Sequence, residues 1–212
     1  MRLDHIVFAA SPKGLAYSAD RLGEKLGEKF QDGGIHPRFG TRNAVLPLRG
    51  GTYIELVEVL DHPASDKAPF GQAVRARTEI GGGWMGWVVA VPDIAPFEAR
   101  IGRECVHGNR HRPDGFELLW KQLGVKGLQT DPQLPYFIEW ETDAEHHPSV
   151  GATGNIALKS LDIAGDPDRV SEHLGEPVDH PLDDIDVVWV APNGTPGIVA
   201  VTFETPSGDV RI

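Results

Sequence analysis

The run at residues 50–61, GGTYIELVEVLD, is a β-strand by composition: β-branched and aromatic residues follow a Gly-Gly turn. Glu55 stands there between Ile54 and Leu56, where a strand with only a packing role rarely carries a charge. The run at residues 135–142, PYFIEWET, has the same character and holds Glu139. Near the N-terminus, LDHIVFA at residues 3–9 is an apolar run interrupted by His5. Carboxylate and imidazole groups in such settings can move protons or hold a cation. The bland alternatives are a histidine bonded to backbone and carboxylates on the exposed side of edge strands.

Composition limits what such groups could serve. Hydrophobic residues make up 40% of the 212 and charged residues 24%, as in ordinary globular proteins, and the length allows a substantial core. No apolar run approaches the roughly 20 residues needed to cross a bilayer. MRLDHIVFAAS reads as a strand and not a signal peptide, and no membrane partner is expected. A lone cysteine, Cys105, excludes an internal disulfide, fits a cytoplasmic location, and reads as a small buried hydrophobe. The net charge is −11, from 31 acids against 20 bases. The nearest thing to a basic stripe is Asn109-Arg110-His111-Arg112, too little for a nucleic-acid footprint.

The elements that must position the candidates recur. Leu15, Ala19, Leu22, Leu26 and Phe30 follow helical spacing, with Gly33-Gly34 as the stop. Short strands run from there to the Glu55 strand, and a helix over residues 71–78 follows. After Gly81-Gly82-Gly83 the pattern begins again: a strand at 84–91, a short helix capped by Asp93 and ended by Gly102, strands near 105–110 and 115–123, then the Glu139 strand. A third round opens with a strand at 156–164, a helix with Asp166 as N-cap, Pro167 at its first position and Gly175 as its stop. Strands at 186–191 and 197–205 close it, joined by an Asn193-Gly194 turn. The reading is an α+β protein of βαβββ modules at residues 1–80, 81–150 and 151–212, the third degenerate, forming a curved mixed sheet around a cleft. Superimposing the first strands lays His5 over Trp87 and Ser160. Superimposing the last lays Glu55 over Glu139 and Ala200.

The LDHIV and YIELVE pair within repeated βαβββ units resembles the vicinal oxygen chelate superfamily, and the run GGIHPRFGTRNAVLPLRGGTYIELVEV is similar to its glyoxalase-like domain proteins. The resemblance implies a cleft between two modules holding a divalent metal (Zn, Ni, Mn or Fe). His5 and Glu55 match the motif residues and Glu139 joins them by internal alignment. Trp87 or Ser160 stands where the second module's usual partner would be, so the set is incomplete. The metal would bind two adjacent substrate oxygens, with Glu55 or Glu139 as the proton-shuttling base. His36 and Asn43 would line the cleft, with turn chemistry as their alternative, and Trp87 could wall it. His146-His147 could supply a missing ligand. The function implied is a metal-dependent enzyme acting on a small carbonyl or vicinal-oxygen compound, the alternative a metal-free small-molecule binding protein. A homodimer is also an expectation.

Overall fold

The computed structural model describes residues 1–176, 185–190 and 194–212. The first unit comprises β1 (Arg2–Ala9), α1 (Leu15–Leu26), β2 (Gln31–His36), β3 (Thr41–Pro47) and β4 (Tyr53–Val59). Two short helices, α2 (Pro63–Lys67) and α3 (Pro69–Glu79), lead to the second unit. That unit has β5 (Gly83–Ala90), α4 (Ala95–Ile101), β6 (Val106–His111), β7 (Glu117–Leu123), α5 (Gly127–Thr130) and β8 (Tyr136–Trp140). Then come β9 (Ala157–Ala164), α6 (Pro167–Leu174), β10 (Asp186–Val190), β11 (Gly197–Thr205) and β12 (Gly208–Arg211).

The first two units close into one barrel, in the order β1-β4-β3-β2-β6-β7-β8-β5. Within each unit the first strand pairs in parallel with the last, β1 with β4 and β5 with β8. Two seams join the units. The β1–β5 seam is a long antiparallel ladder from Arg2 opposite Ala90 to Ala9 opposite Gly83. The β2–β6 seam has a single registered pair, Ile35 with His111. Gly34 makes that close approach possible: its φ is 108°, and a Cβ there would collide with the His111 carbonyl oxygen.

Side chains alternate across the barrel wall, as strand geometry requires. Val7, Val57, Val88 and Leu118 fill the interior with Phe39 and with Phe70 and Val74 of α3. Ile6, Leu46, Trp87, Val89 and Phe137 pack instead with Leu158, Leu161, Val201 and Phe203 of the second sheet. That sheet has the order β10-β9-β11-β12. Its element order matches the other units, but β9 takes β10 as its parallel neighbour, where β1 and β5 take their last strands.

Several local expectations need correction. α1 ends at Gly27, which adopts φ 80° and donates its N–H to Gly23 O at 2.8 Å. Gly33 and Gly34 belong to β2, so Phe30 lies outside the helix. α2, α5 and β12 were not anticipated. Asp166 caps α6 by accepting from the Asp168 N–H at 2.9 Å, with Pro167 and Gly175 at the expected ends. Of the Asn193-Gly194 turn, Asn193 lies outside the described residues.

Cys105 is half-buried just before β6, and burial together with the adjacent Glu98 carboxylate pushes its thiol up to about 11. Only the thiolate reacts, so alkylation by iodoacetamide at pH 8 should run about 100-fold slower than for free cysteine in the same buffer. A rate matching free cysteine in a stopped time course would refute this.

Candidate functional site

Glu55 points into the barrel because β4 alternates Tyr53, Glu55 and Val57 inward. Antiparallel pairing with β3 sets Val45 opposite Glu55 and places Asn43 beside it, and the Asn43 Nδ2–H donates to Glu55 Oε1 at 2.8 Å. Gly33, at an irregularity in the β2–β3 pairing, leaves room for that amide, since a Cβ there would strike Asn43 Oδ1. Two imidazoles flank the carboxylate. His36 Nε2 lies 3.6 Å from Oε1 and His5 Nε2 lies 3.8 Å from Oε2. The space before them is about 30 Å³, close to the size of one water. Its far wall comes from the second unit: Arg110, Trp120, Gln122, Tyr136, Ile138 and Trp140. Gly108 opposite Trp120 carries no Cβ, which makes room for the indole.

A second layer fixes His5. The β1–β5 register shifts between Leu3 and His5, and both Asp4 and His5 are buried. Asp4 Oδ2 accepts from His5 Nδ1 at 2.9 Å, Oδ1 accepts from His147 Nε2 at 3.0 Å, and Arg2 forms an ion pair with Oδ1 at 3.0 Å. Trp140 Nε1–H reaches the same carboxylate at 3.2 Å. Burial raises the Asp4 pKa, but the hydrogen bonds and charges of His147 and His5 outweigh it and hold the group ionised well below the usual carboxylate range. With Nδ1 engaged by Asp4, His5 turns its Nε2 toward the cavity, where the Tyr136 hydroxyl lies 3.4 Å away. The ring also stacks on Tyr53, centroids 4.4 Å apart. Burial, then the Arg110 charge and His5, keep His36 neutral, with its Nδ1 2.9 Å from Thr41 Oγ1. Burial and the Asp4 and Glu55 carboxylates push both Tyr53 and Tyr136 well up, so each phenol keeps its proton to donate.

The family model described as a glyoxalase-like domain matches residues 3–178. The chain belongs to the glyoxalase-like domain family. Its fold places it in the vicinal oxygen chelate superfamily, as the LDHIV and YIELVE motifs imply. Among solved structures, a hypothetical protein from Staphylococcus aureus is 18% identical, with 90% of this chain and 86% of that chain covered and a TM-score of 0.62. This likeness establishes a shared fold. A methylmalonyl-CoA epimerase from Mycobacterium tuberculosis is 17% identical over 67% of this chain and 88% of its own, with a TM-score of 0.44. No curated protein matches the sequence.

In this glyoxalase-like chain the structure brings His5, His36, Asn43 and Glu55 together. Glu139 does not join them. β8 turns Tyr136, Ile138 and Trp140 into the cavity, and Glu139 faces away, accepting from Lys121 Nζ at 2.6 Å and from the Ile94 N–H at 2.8 Å. Its pKa is lowered chiefly by the Lys121 hydrogen bond, the signature of a structural ion pair at the start of α4. Trp87 is likewise out of reach, fully buried outside the barrel with its Nε1–H donating to Gln133 O at 2.9 Å.

Strand pairing shows the true counterparts. His5 lies beside Tyr53, two residues before Glu55, and Val88 lies beside Tyr136, two residues before Ile138. Both separations, His5 to Glu55 and Val88 to Ile138, span 50 residues. The expected alignment was one residue out at each end, which reverses the face of a strand residue. In the second sheet Ala200 pairs with Asp162, and neither Ser160 nor Ala200 approaches the barrel cavity. His147 bonds Asp4 and not Glu55, while His107 and His111 pair with Glu141 and Glu117 at the surface. Sequence reasoning passed over Asp4, Arg110, Tyr53 and Tyr136. The adjacency of Asp4 to His5 was the one available signal.

The donor set does not fit the divalent metal that the fold implies. A metal held between two modules needs ligands from both, and the second unit offers Val88 and Ile138 at the equivalent positions. The same wall carries Arg110, whose positive charge opposes a cation in the cavity. Among the described residues no cluster of three or more His, Cys, Asp or Glu side chains has the spacing to hold a metal ion.

Proposed function

We propose that this glyoxalase-like chain binds a small carbonyl compound inside the barrel and moves a proton at the carbon beside the carbonyl, without a divalent metal, with Glu55 as the base. The observation that carries this reading is the setting of Glu55: a carboxylate only 6% exposed, aimed into an enclosed space, with no Lys or Arg bonded to it among the described residues. The Asn43 amide holds one oxygen by a hydrogen bond, leaving Oε2 to take a proton from carbon. The electron pair released moves onto the carbonyl oxygen, where the Tyr53 and Tyr136 phenols are neutral donors that can stabilise an enolate. Asp4 holds His5 with its Nε2 toward the cavity, and His36 stays uncharged and does not neutralise the base. Phe39, Phe70 and Gln122 border both this cavity and an outer cleft of about 330 Å³, and they are the side chains between a ligand outside and Glu55.

The test is proton exchange in D2O. With pyruvate as the probe, the wild type should incorporate deuterium beside the carbonyl above the buffer rate, read by proton NMR. Glu55→Gln should slow this by about 100-fold or more. Untagged protein should hold no stoichiometric Zn, Ni, Mn or Fe, and a chelator should leave exchange unchanged. Exchange unaffected by Glu55→Gln would overturn the catalytic role. Stoichiometric metal lost in both His5→Ala and Glu55→Ala would overturn the metal-free reading.

A further inference from the structure

Among the described residues Arg110 is a buried charge without an ion-pair partner, with the Glu55 carboxylate across the cavity as a more distant favourable charge. β6 places it on the barrel interior, opposite Leu118 of β7, and only 5% of it is exposed. Its Nε is buried with no hydrogen-bond partner, and among the described residues no carboxylate forms an ion pair with it. A guanidinium in that condition is costly, because buried charges in folded proteins are paired or hydrogen-bonded. Leaving it so makes physical sense when a ligand completes it.

Its position states which side the ligand meets. Arg110 borders the inner cavity with Glu55 and His36, and it also borders a polar depression of about 240 Å³ outside, shared with Gln31, Arg112 and His147. The acids of that depression are engaged elsewhere. Asp32 accepts from the Gly34 N–H at 3.0 Å, and Glu145 lies 3.5 Å from His146. Arg112 is held by Asp114 at 2.6 Å, so Arg110 is the cation left for an incoming anion. A planar guanidinium matches the two oxygens of a carboxylate in a forked pair.

We propose that the ligand is a small carboxylate, its carboxyl group bound by Arg110 and the remainder facing Glu55. This rests on the reading of the barrel as a ligand site and names the substrate class, a carbonyl compound bearing a carboxylate, such as a 2-oxo acid. The carboxylate lies on the Arg110 side because Glu55 would repel it.

The experiment follows the Arg110 Nε–H resonance by 15N NMR, with binding by calorimetry, on the full chain. Probes are pyruvate, acetate, inorganic phosphate and uncharged hydroxyacetone. Pyruvate should move the Arg110 Nε–H signal and bind, acetate more weakly, and hydroxyacetone should do neither at equal concentration. Arg110→Met should bind pyruvate at least about 30-fold more weakly, while Arg110→Lys retains part of the affinity. Arg110→Met should fold at least as well as the wild type without ligand, since it removes an unpaired buried charge, and its melting curve checks this. Equal pyruvate binding by wild type and Arg110→Met would overturn the proposal, as would an unmoved Nε–H signal with pyruvate at 50 mM. Phosphate binding more tightly than either carboxylate would overturn the carboxylate assignment. Glu55→Gln separates the two readings. If it binds pyruvate normally while exchange is unaffected by the substitution, proton transfer by Glu55 fails and the carboxylate site stands.

Discussion

Asp4→Ala should lower the unfolding free energy at pH 7 by about 3–5 kcal/mol, the loss typical of removing one partner from a buried charged network. Its carboxylate is inaccessible, accepts from His5, His147 and Trp140 and pairs with Arg2, so its removal leaves the first three donors without that acceptor. The pH dependence has a definite sign. Asp4 in the folded chain is held far below its ordinary value of 3.8, so its contribution is complete above about pH 4 and declines as the pH falls from there. His36 acts in the same direction at higher pH. Its folded pKa lies well below 6.5, so the unfolded chain takes up that proton first and stability falls as pH drops below about 6.5. Urea unfolding of both proteins between pH 3 and 8 should show the wild type losing stability in two stages, the more acidic one smaller in Asp4→Ala, where Glu139 and the other ion-paired carboxylates still contribute. A variant within 1 kcal/mol of the wild type at pH 7 would contradict the central place given to Asp4.

Gly34→Ala should cost about 3 kcal/mol, from a side chain forced into the left-handed region and from collision with the opposing strand. The obstacle is the His111 carbonyl, a backbone atom that cannot rotate away. The β2–β6 seam rests on one registered pair, so the substitution should part the barrel there and leave the β1–β5 ladder intact. Hydrogen exchange locates the damage: the Ile35 amide should lose protection while Ile6 and Val88 keep theirs. Uniform loss of protection around the barrel would mean that the seam is not the weak point.

The repeat, the helices α1, α3 and α6 and most strands were legible because hydrophobic periodicity and caps are local signals. Gly27 and Gly33-Gly34 show the limit. Each can stop a helix, and what decides between them is the tertiary need for a Cβ-free β2 beside β6 and Asn43. The site was half legible. His5, Glu55, His36 and Asn43 carry their polarity in strands or motifs, and they converge. Glu139 failed because alternation cannot tell which side of a strand is inside when both sides are partly covered, and the second sheet buries the outside of β5 and its neighbours. Arg110 looked like one residue of a weak basic run. Its importance lies in missing partners, which only three-dimensional packing reveals.

The unequal halves of the barrel separate two roles that most pockets mix. β1 to β4 bring His5, His36, Tyr53 and Glu55, joined by Tyr136 of β8, while Arg110, Trp120 and Gln122 across the cavity bring fit and charge. Substitution at Arg110, Trp120 or Gln122 can therefore change which compound is accepted while leaving Glu55, His5, Tyr53 and Tyr136 untouched. With Val88 and Ile138 where the first half has His5 and Glu55, the second half carries no polar pair of its own, and the barrel is a scaffold on which specificity can change with Glu55 in place.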